Sequence, residues 1–365
     1  MSGGIATFNH HICNELSSRG HRVTVLAGPD AESEDYDRKQ NFTIKRVTNK
    51  FRPSSIESIY KTLALVRKEN AEIIFFGHFA STHWLGAILV KYIFRIPYVI
   101  LVHGTEFNAY FHRFTDIDRW VSKYILKNAG TVFTNSQITR ELVQTHGYPF
   151  EKIHMIFPGV DTERFGIFEK RSDILENLGI KNKKILLTVS RLVQKKNHEN
   201  VLKALAIVVK EIPDVVYIVV GDGKEKERLI GLTKELKIEK YVIFLGQIEF
   251  GQIHSYYNAC DIFIMPSKTV GLDYESFGIV YLEANACGKP VIAGRSGGIK
   301  DAVLDGSTGI LVDPNNIEEI SQAMLLLLKD PEYAEKLGEY GRRRVEKELN
   351  WKMVGEKIEA VLATV

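Results

Sequence analysis

Gly271-Leu-Asp-Tyr-Glu275-Ser-Phe-Gly278-Ile-Val-Tyr-Leu-Glu283-Ala-Asn-Ala-Cys-Gly288-Lys-Pro-Val-Ile292 is the stretch on which the reading of this chain turns. It follows an apolar run at 262–265 that Pro266 ends, and it crosses a glycine-containing loop. Helical spacing then runs from 277 to 286, and Gly288 and Pro290 break it before a second apolar run at 291–293. Strand, loop, helix and strand in so short a compass form the repeating unit of a parallel sheet covered by helices. Further strand-length runs lie at 185–189, 215–220, 242–245 and 310–312. The patterns between them predict helices at about 197–210, 224–236, 251–259 and 317–328. The second half therefore reads as a doubly wound α/β domain.

The first half repeats the scheme, with runs at 22–26, 42–47, 73–76, 98–102, 131–134 and 153–157. Ile56, Ile59, Tyr60, Leu63 and Val66 carry the spacing of an amphipathic helix between two of them. Pro158-Gly159 and the charged stretch up to Lys183-Lys184 place the boundary. The expected layout is an N-terminal domain over 1–165, a C-terminal domain over 166–345 and a last helix over 346–365. That helix is amphipathic through Trp351, Val354, Ile358, Val361 and Leu362. The chain opens at Gly3-Gly4 and runs straight into a helix at about 6–19. A domain of this kind normally begins with a strand leading into its glycine turn. The expectation is that the first strand of the N-terminal domain is missing, with residues preceding Met1.

Composition sets the limits. At 365 residues, 45% hydrophobic and 25% charged, the chain suits two globular domains and excludes a disordered, collagen-like or coiled-coil protein. The 48 basic and 45 acidic residues leave a net charge of +3, too little for a dedicated nucleic-acid binder. Cys13, Cys260 and Cys287 form no CxxC pair, which argues against a disulfide framework or a thiolate zinc site. No run reaches the length of a membrane span and no secretory leader is evident, so a cytoplasmic protein is expected. Basic residues, among them Arg113, Arg119, Lys123 and Lys127, alternate with Phe111, Phe114, Trp120 and Tyr124. That mixture suits peripheral contact with an anionic membrane.

Glutamates eight apart mean little alone, since Glu227 with Glu235 and Glu348 with Glu356 share the spacing. Context separates Glu275 and Glu283. On one helix they would stand about 12 Å apart along the axis, about the reach from a sugar to a ribose across a diphosphate. The helix start at Phe277-Gly278-Ile279 would offer free amides to a phosphate. A second motif, Val189-Ser190-Arg191-Leu192-Val193-Gln194-Lys195-Lys196-Asn197, leaves a strand with cations suited to a diphosphate at Arg191 and Lys196, and with Lys195 as a solvated neighbour. His103 ends the 98–102 strand, where ligands of open α/β sheets bind.

With these residues the chain resembles the retaining glycosyltransferases of family 4, with the GT-B fold and a Glu-x7-Glu signature, and its wording is similar to that of GDP-mannose-dependent mannosyltransferases. The resemblance spans nearly the whole chain. It implies two Rossmann-like domains facing a central cleft, with the nucleotide-sugar mostly against the second and the last helix crossing back to the first. It implies that Glu283 holds the ribose, Glu275 the donor sugar, Arg191 and Lys196 the diphosphate, and the amides of Phe277, Gly278 and Ile279 the sugar and phosphates. Gly3 and Gly4 match the family's N-terminal glycine pair, and His103 the histidine near the sugar's C6 hydroxyl. The implied reaction is retaining and needs no metal or cofactor. It moves mannose from GDP-mannose to a hydroxyl of a lipid-linked or polysaccharide acceptor, at the inner face of the cytoplasmic membrane. A UDP-sugar donor and a non-catalytic nucleotide-sugar-binding partner are the alternatives. Asp116-Ile117-Asp118 spells a metal-binding Asp-x-Asp but lies in a helical stretch, so it reads as chance.

Overall fold

The structure is a computed structural model that describes every residue except 1–3, 29–32, 48–55, 80–83, 109–114, 169–171 and 250. It divides into two units, Met1–Pro158 with Trp351–Val365, and Gly159–Asn350. The chain thus leaves the first unit at Pro158 and returns at Trp351, not at 165 and 346. The outgoing and returning segments are joined inside the second unit, where Val160 bridges Asn350 and its N–H donates to the Leu349 carbonyl at 2.8 Å.

In the first unit, β1 (Thr24–Ala27) pairs in parallel with β2 (Thr43–Arg46). A separate parallel sheet has the order β3 (Ile74–Phe76), β4 (Tyr98–Val102), β5 (Thr131–Thr134), β6 (Ile153–Met155). β4 and β5 are buried at every position and β1 and β3 only partly, the pattern of central against edge strands. The first described element is the Gly4–Ser18 helix, which buries Phe8 and Ile12. Trp351, Val354 and Ile358 of the Trp351–Leu362 helix join Phe8, Ile12, Val99, Leu101 and Phe133 in one apolar cluster. Arg19 ties the two helices by bonding to Glu359 at 2.7 Å. No described helix is long and apolar enough to cross a membrane.

The second unit holds β7 (Lys184–Val189), β8 (Val215–Val220), β9 (Val242–Gly246), β10 (Ile262–Met265), β11 (Val291–Gly294) and β12 (Gly309–Val312). They form one six-stranded sheet in the order β12-β11-β10-β7-β8-β9, parallel throughout. The Val215–Val220 strand is buried at all its positions because helices cover both faces and every second residue finds a core to fill. The order reverses between β7 and β10. In such a sheet, the crevice beyond the carboxyl ends of those two strands is where ligands bind.

The Pro331–Glu348 helix was absent from the sequence reading because it is charged and contains Gly338 and Gly341. Both glycines serve packing. A Cβ at Gly338 would stand 2.1 Å from the Gly288 carbonyl oxygen, and one at Gly341 2.4 Å from the Asn285 amide, so only glycine lets this helix lie against the Ile279–Ala286 helix.

Candidate active site

The loops that leave β7 and β10 at the switch point carry most of the predicted residues. After β7 the chain makes a tight turn at Gln194–Lys196, and Asn197 then adopts a left-handed conformation at φ 61°. The Asn197 side-chain amide holds that conformation by donating to the carbonyls of Pro266 at 3.0 Å and Pro314 at 2.6 Å. The turn is braced from beneath by a buried polar chain. Tyr217 donates to Thr188 Oγ1 at 2.8 Å, and the Thr188 hydroxyl donates to the Ile264 carbonyl. The Tyr217 oxygen must therefore accept from His198 Nδ1 at 3.0 Å, which leaves Nε2 to accept from Ser190 Oγ, also at 3.0 Å. Burial and the nearby Lys196 hold the His198 pKa down to about 3, so the ring is neutral, and the Ser190 hydroxyl also reaches the Arg191 carbonyl at 3.2 Å. The polar chain clamps β7, β8 and β10 together directly below Arg191.

Arg191 is exposed and forms no ion pair with a described residue. Lys196 pairs with the Glu275 carboxylate, and both side chains are largely buried. Burial alone would raise the Glu275 pKa, but Lys196, Lys195 and Arg191 outweigh it and hold the carboxyl below its ordinary range. Lys195 is not the solvated neighbour that was expected. Its side chain is 12% exposed, lies 2.8 Å from Asp273, and reaches the Tyr274 carbonyl at 3.4 Å. The loop after β10 folds back over the 3-10 turn, so consecutive lysines both meet its acidic side.

The helix carrying Glu283 begins at Ile279, not at 277. Gly278 sits at φ 91°, a left-handed conformation that ends helical bonding, and a Cβ there would stand 2.4 Å from the Tyr281 ring. Glu275 therefore precedes the helix in a loop, and the spacing of about 12 Å along one helix axis does not apply. The first amides of the helix have no intrahelical acceptor. Gly297 and Gly298, absent from the sequence reading, support Glu275 from behind. The Gly298 N–H donates to the Glu275 carbonyl at 2.9 Å, and a Cβ at Gly297 would lie 2.4 Å from that oxygen. Their signal was a glycine pair shortly after a strand, past Arg295 and Ser296.

Glu283 is partly buried and accepts a hydrogen bond at Oε2 from the Tyr257 hydroxyl at 2.7 Å. Burial raises its pKa to about 7 even though Tyr257 and Arg164 favour the charged form. Gly221 and Gly223 form a turn at the end of β8, where a Cβ at Gly221 would stand 1.9 Å from the Ser190 carbonyl oxygen.

In the first unit, His103 follows β4 and is 6% exposed. Its Nε2 lies 3.1 Å from the Gly77 carbonyl, which can only accept, so Nε2 carries the hydrogen and Nδ1 is the bare nitrogen. Burial holds its pKa down to about 4, which makes it neutral. Glu106 accepts the His103 N–H at 2.6 Å, and burial raises its own pKa to about 7. The sequence reading gave Glu106 no role, although it stands three residues past the strand-end histidine. Gly4 is the exposed first residue of its helix, while Gly3 lies outside the described residues, as do Phe111, Arg113 and Phe114. Asp116 opens the Asp116–Asn128 helix and pairs with Arg119.

Two family models match this chain, Glycosyltransferase Family 4 over residues 2–164 and Glycosyl transferases group 1 over residues 170–344. The GDP-mannose-dependent alpha-(1-6)-phosphatidylinositol monomannoside mannosyltransferase of Mycolicibacterium smegmatis is 31% identical, over 99% of this chain and 95% of its own. The N-acetyl-alpha-D-glucosaminyl L-malate synthase of Bacillus anthracis is 27% identical, over 98% and 93%. The crystal structure of Anabaena HepE in complex with UDP is similar at a TM-score of 0.85 and 22% identity, covering 100% of this chain and 97% of that one, which bears on the fold alone. The fold is GT-B, and the protein is an enzyme, a hexosyltransferase. The chain belongs to the glycosyltransferase group 1 and family 4 proteins that these two models describe.

Proposed function

We propose that this enzyme transfers mannose from GDP-mannose, with retention and without a metal, to a hydroxyl of a lipid-linked or polysaccharide acceptor. The observation that carries the reading is the cluster at the switch point of the second unit, where exposed Arg191 stands near the Lys196–Glu275 pair and a helix start. Two cations and a row of free amides suit a departing nucleoside diphosphate, whose negative charge grows in the transition state. Glu275 orients the donor sugar, Glu283 takes the ribose hydroxyls, and neutral His103 hydrogen-bonds a sugar hydroxyl. Support for mannose and for a lipid acceptor is the name of the Mycolicibacterium relative.

The test is thermal-shift and calorimetric binding with GDP, UDP, ADP and their sugar nucleotides, with and without EDTA, followed by NMR of the product's anomeric configuration. At a hundredfold excess over its Kd, a ligand that binds only the native state stabilises it by about 2.7 kcal/mol. GDP-selective, EDTA-insensitive binding and a retained configuration fit the proposal. UDP selectivity replaces the sugar, and silence toward every nucleotide defeats the reading. Peripheral contact with an anionic membrane at the cytoplasmic face is part of the proposal. It is supported by exposed Tyr92, Ile93, Ile117 and Trp120 beside Arg95, Lys123 and Lys127. Failure to sediment with anionic vesicles at low salt counts against it.

A further inference from the structure

We infer that Tyr257 is a positioning residue for the donor's nucleoside, acting through the Glu283 carboxylate. The inference rests on the reading above that Glu283 meets the ribose. Tyr257 belongs to the Ile253–Ala259 helix and is 0% exposed. Its ring is packed edge-on to Phe165 at 5.7 Å and tilted against Phe263 at 5.5 Å, so the hydroxyl is a fixed point. From there it donates to Glu283 Oε2 at 2.7 Å, and no described residue hydrogen-bonds Oε1. One carboxylate oxygen is thereby anchored by the fold, while the other keeps its lone pairs for a ligand.

The donor's chemistry matters here. A ribose presents two adjacent hydroxyls, and an ionised carboxylate can accept from both at once. A lysine at position 257 would anchor Glu283 as well and keep it ionised, but its several N–H donors would compete with the ligand for the carboxylate lone pairs. A phenol orients the group and leaves its charge for the ligand. The other groups facing this carboxylate are Arg164, which favours its ionised form, and Cys287, whose buried thiol stays neutral with its pKa raised well above the usual range. Burial outweighs the Tyr257 hydrogen bond and Arg164, which both favour the ionised form, and the titration of Glu283 lies near neutrality. Removing the hydroxyl frees the carboxylate to turn and to hold a proton at higher pH.

The experiment measures GDP-mannose affinity by calorimetry from about pH 5.5 to pH 8.5 for the wild type, Tyr257→Phe and Glu283→Gln. A sugar nucleotide has no terminal phosphate to titrate, so a pH dependence belongs to the protein. Wild-type affinity is expected to fall, by up to about tenfold per pH unit, on acidification through the midpoint. Tyr257→Phe should move that midpoint up by roughly one unit, weakening binding about five- to tenfold at neutral pH and little at the alkaline end. Glu283→Gln should bind weakly at every pH.

A Tyr257→Phe profile that is lowered uniformly, or that keeps the wild-type midpoint, overturns the inference and leaves the proposed function standing. Glu283→Gln binding like the wild type takes Glu283 out of the site, and the inference with it. A folded wild type that binds no sugar nucleotide defeats both. Should Tyr257→Phe not fold, NMR titration of the Glu283 carboxyl in wild-type protein, assigned by its loss in Glu283→Gln, decides. Titration near neutrality that GDP-mannose drives fully to the ionised form supports the inference, and a carboxyl indifferent to the ligand refutes it.

Discussion

Glu275 and Glu283 belong to one stretch of sequence, yet their surroundings push them in opposite directions. Lysines 195 and 196 and Arg191 gather round Glu275 and keep it ionised against the cost of burial. Glu283 meets a phenol and a more distant guanidinium, and burial wins. The comparison teaches that burial does not by itself decide the charge of a carboxyl group. What decides it is whether the neighbouring element brings a cation or a neutral donor.

The sharpest way to break the comparison is at Glu275. Glu275→Ala should lower kcat about a hundredfold or more while leaving GDP affinity within about threefold, because Lys196 loses its internal partner but keeps its charge for the diphosphate. Unchanged turnover would remove Glu275 from the sugar end. Gly278, which separates the two glutamates, comes next. Gly278→Ala puts a side chain at φ 91° and against the Tyr281 ring. It should cost about 2 kcal/mol, a fall of roughly 5 °C in melting temperature, and a melt like the wild type's would contradict the described loop.

The charge difference itself is read from stability against pH. Folding raises the Glu283 pKa from 4.5 to about 7, so between those values the folded chain keeps a proton that the unfolded chain has lost. Stability attributable to this group therefore falls as pH rises through that window and is level above it. Glu283→Gln should melt above the wild type at pH 8 and close to it at pH 4. Glu275 has the opposite sign: its lowered pKa contributes stability above its ordinary value, and that is lost on acidification. Glu275→Gln should therefore melt below the wild type at pH 8, and two variants shifting in the same direction there would end the contrast. The smallest effect is expected at Lys195→Ala. Its partner Asp273 is 55% exposed, so the loss should stay under about 1 kcal/mol in a denaturant titration.

Much of the fold was legible because its strands are buried on both faces. Runs such as 98–102, 131–134 and 215–220 coincide with strands, since a fully covered parallel sheet writes itself as unbroken apolar sequence. Helix starts were less legible. The apolar spacing before Ile279 continues without a break, and only the left-handed backbone at Gly278 stops the helix. The Pro331–Glu348 helix was hidden because a glycine that enables close packing looks the same in sequence as one that breaks a helix.

At the candidate site, residues grouped along the chain were legible, and contacts between distant segments were not. Arg191, Lys196, Glu275 and Glu283 could be named from their motifs. That Lys196 pairs with Glu275 and that Tyr257 holds Glu283 depend on three-dimensional placement. The exposure of a cation is equally invisible in sequence, which is why Lys195 was read as solvated.

The helix Trp351–Leu362 completes the core of the unit that the chain began to build more than 300 residues earlier. During synthesis, which commonly lets N-terminal domains finish first, that order is reversed here. The inserted unit, Gly159–Asn350, is fully made while its host still lacks Trp351, Val354 and Ile358. Phe8 and Ile12 can meet Val99, Leu101 and Phe133 beforehand, but their cluster stays incomplete until the Trp351–Leu362 helix leaves the ribosome, and in that interval apolar surface of the nascent first unit is open to a chaperone.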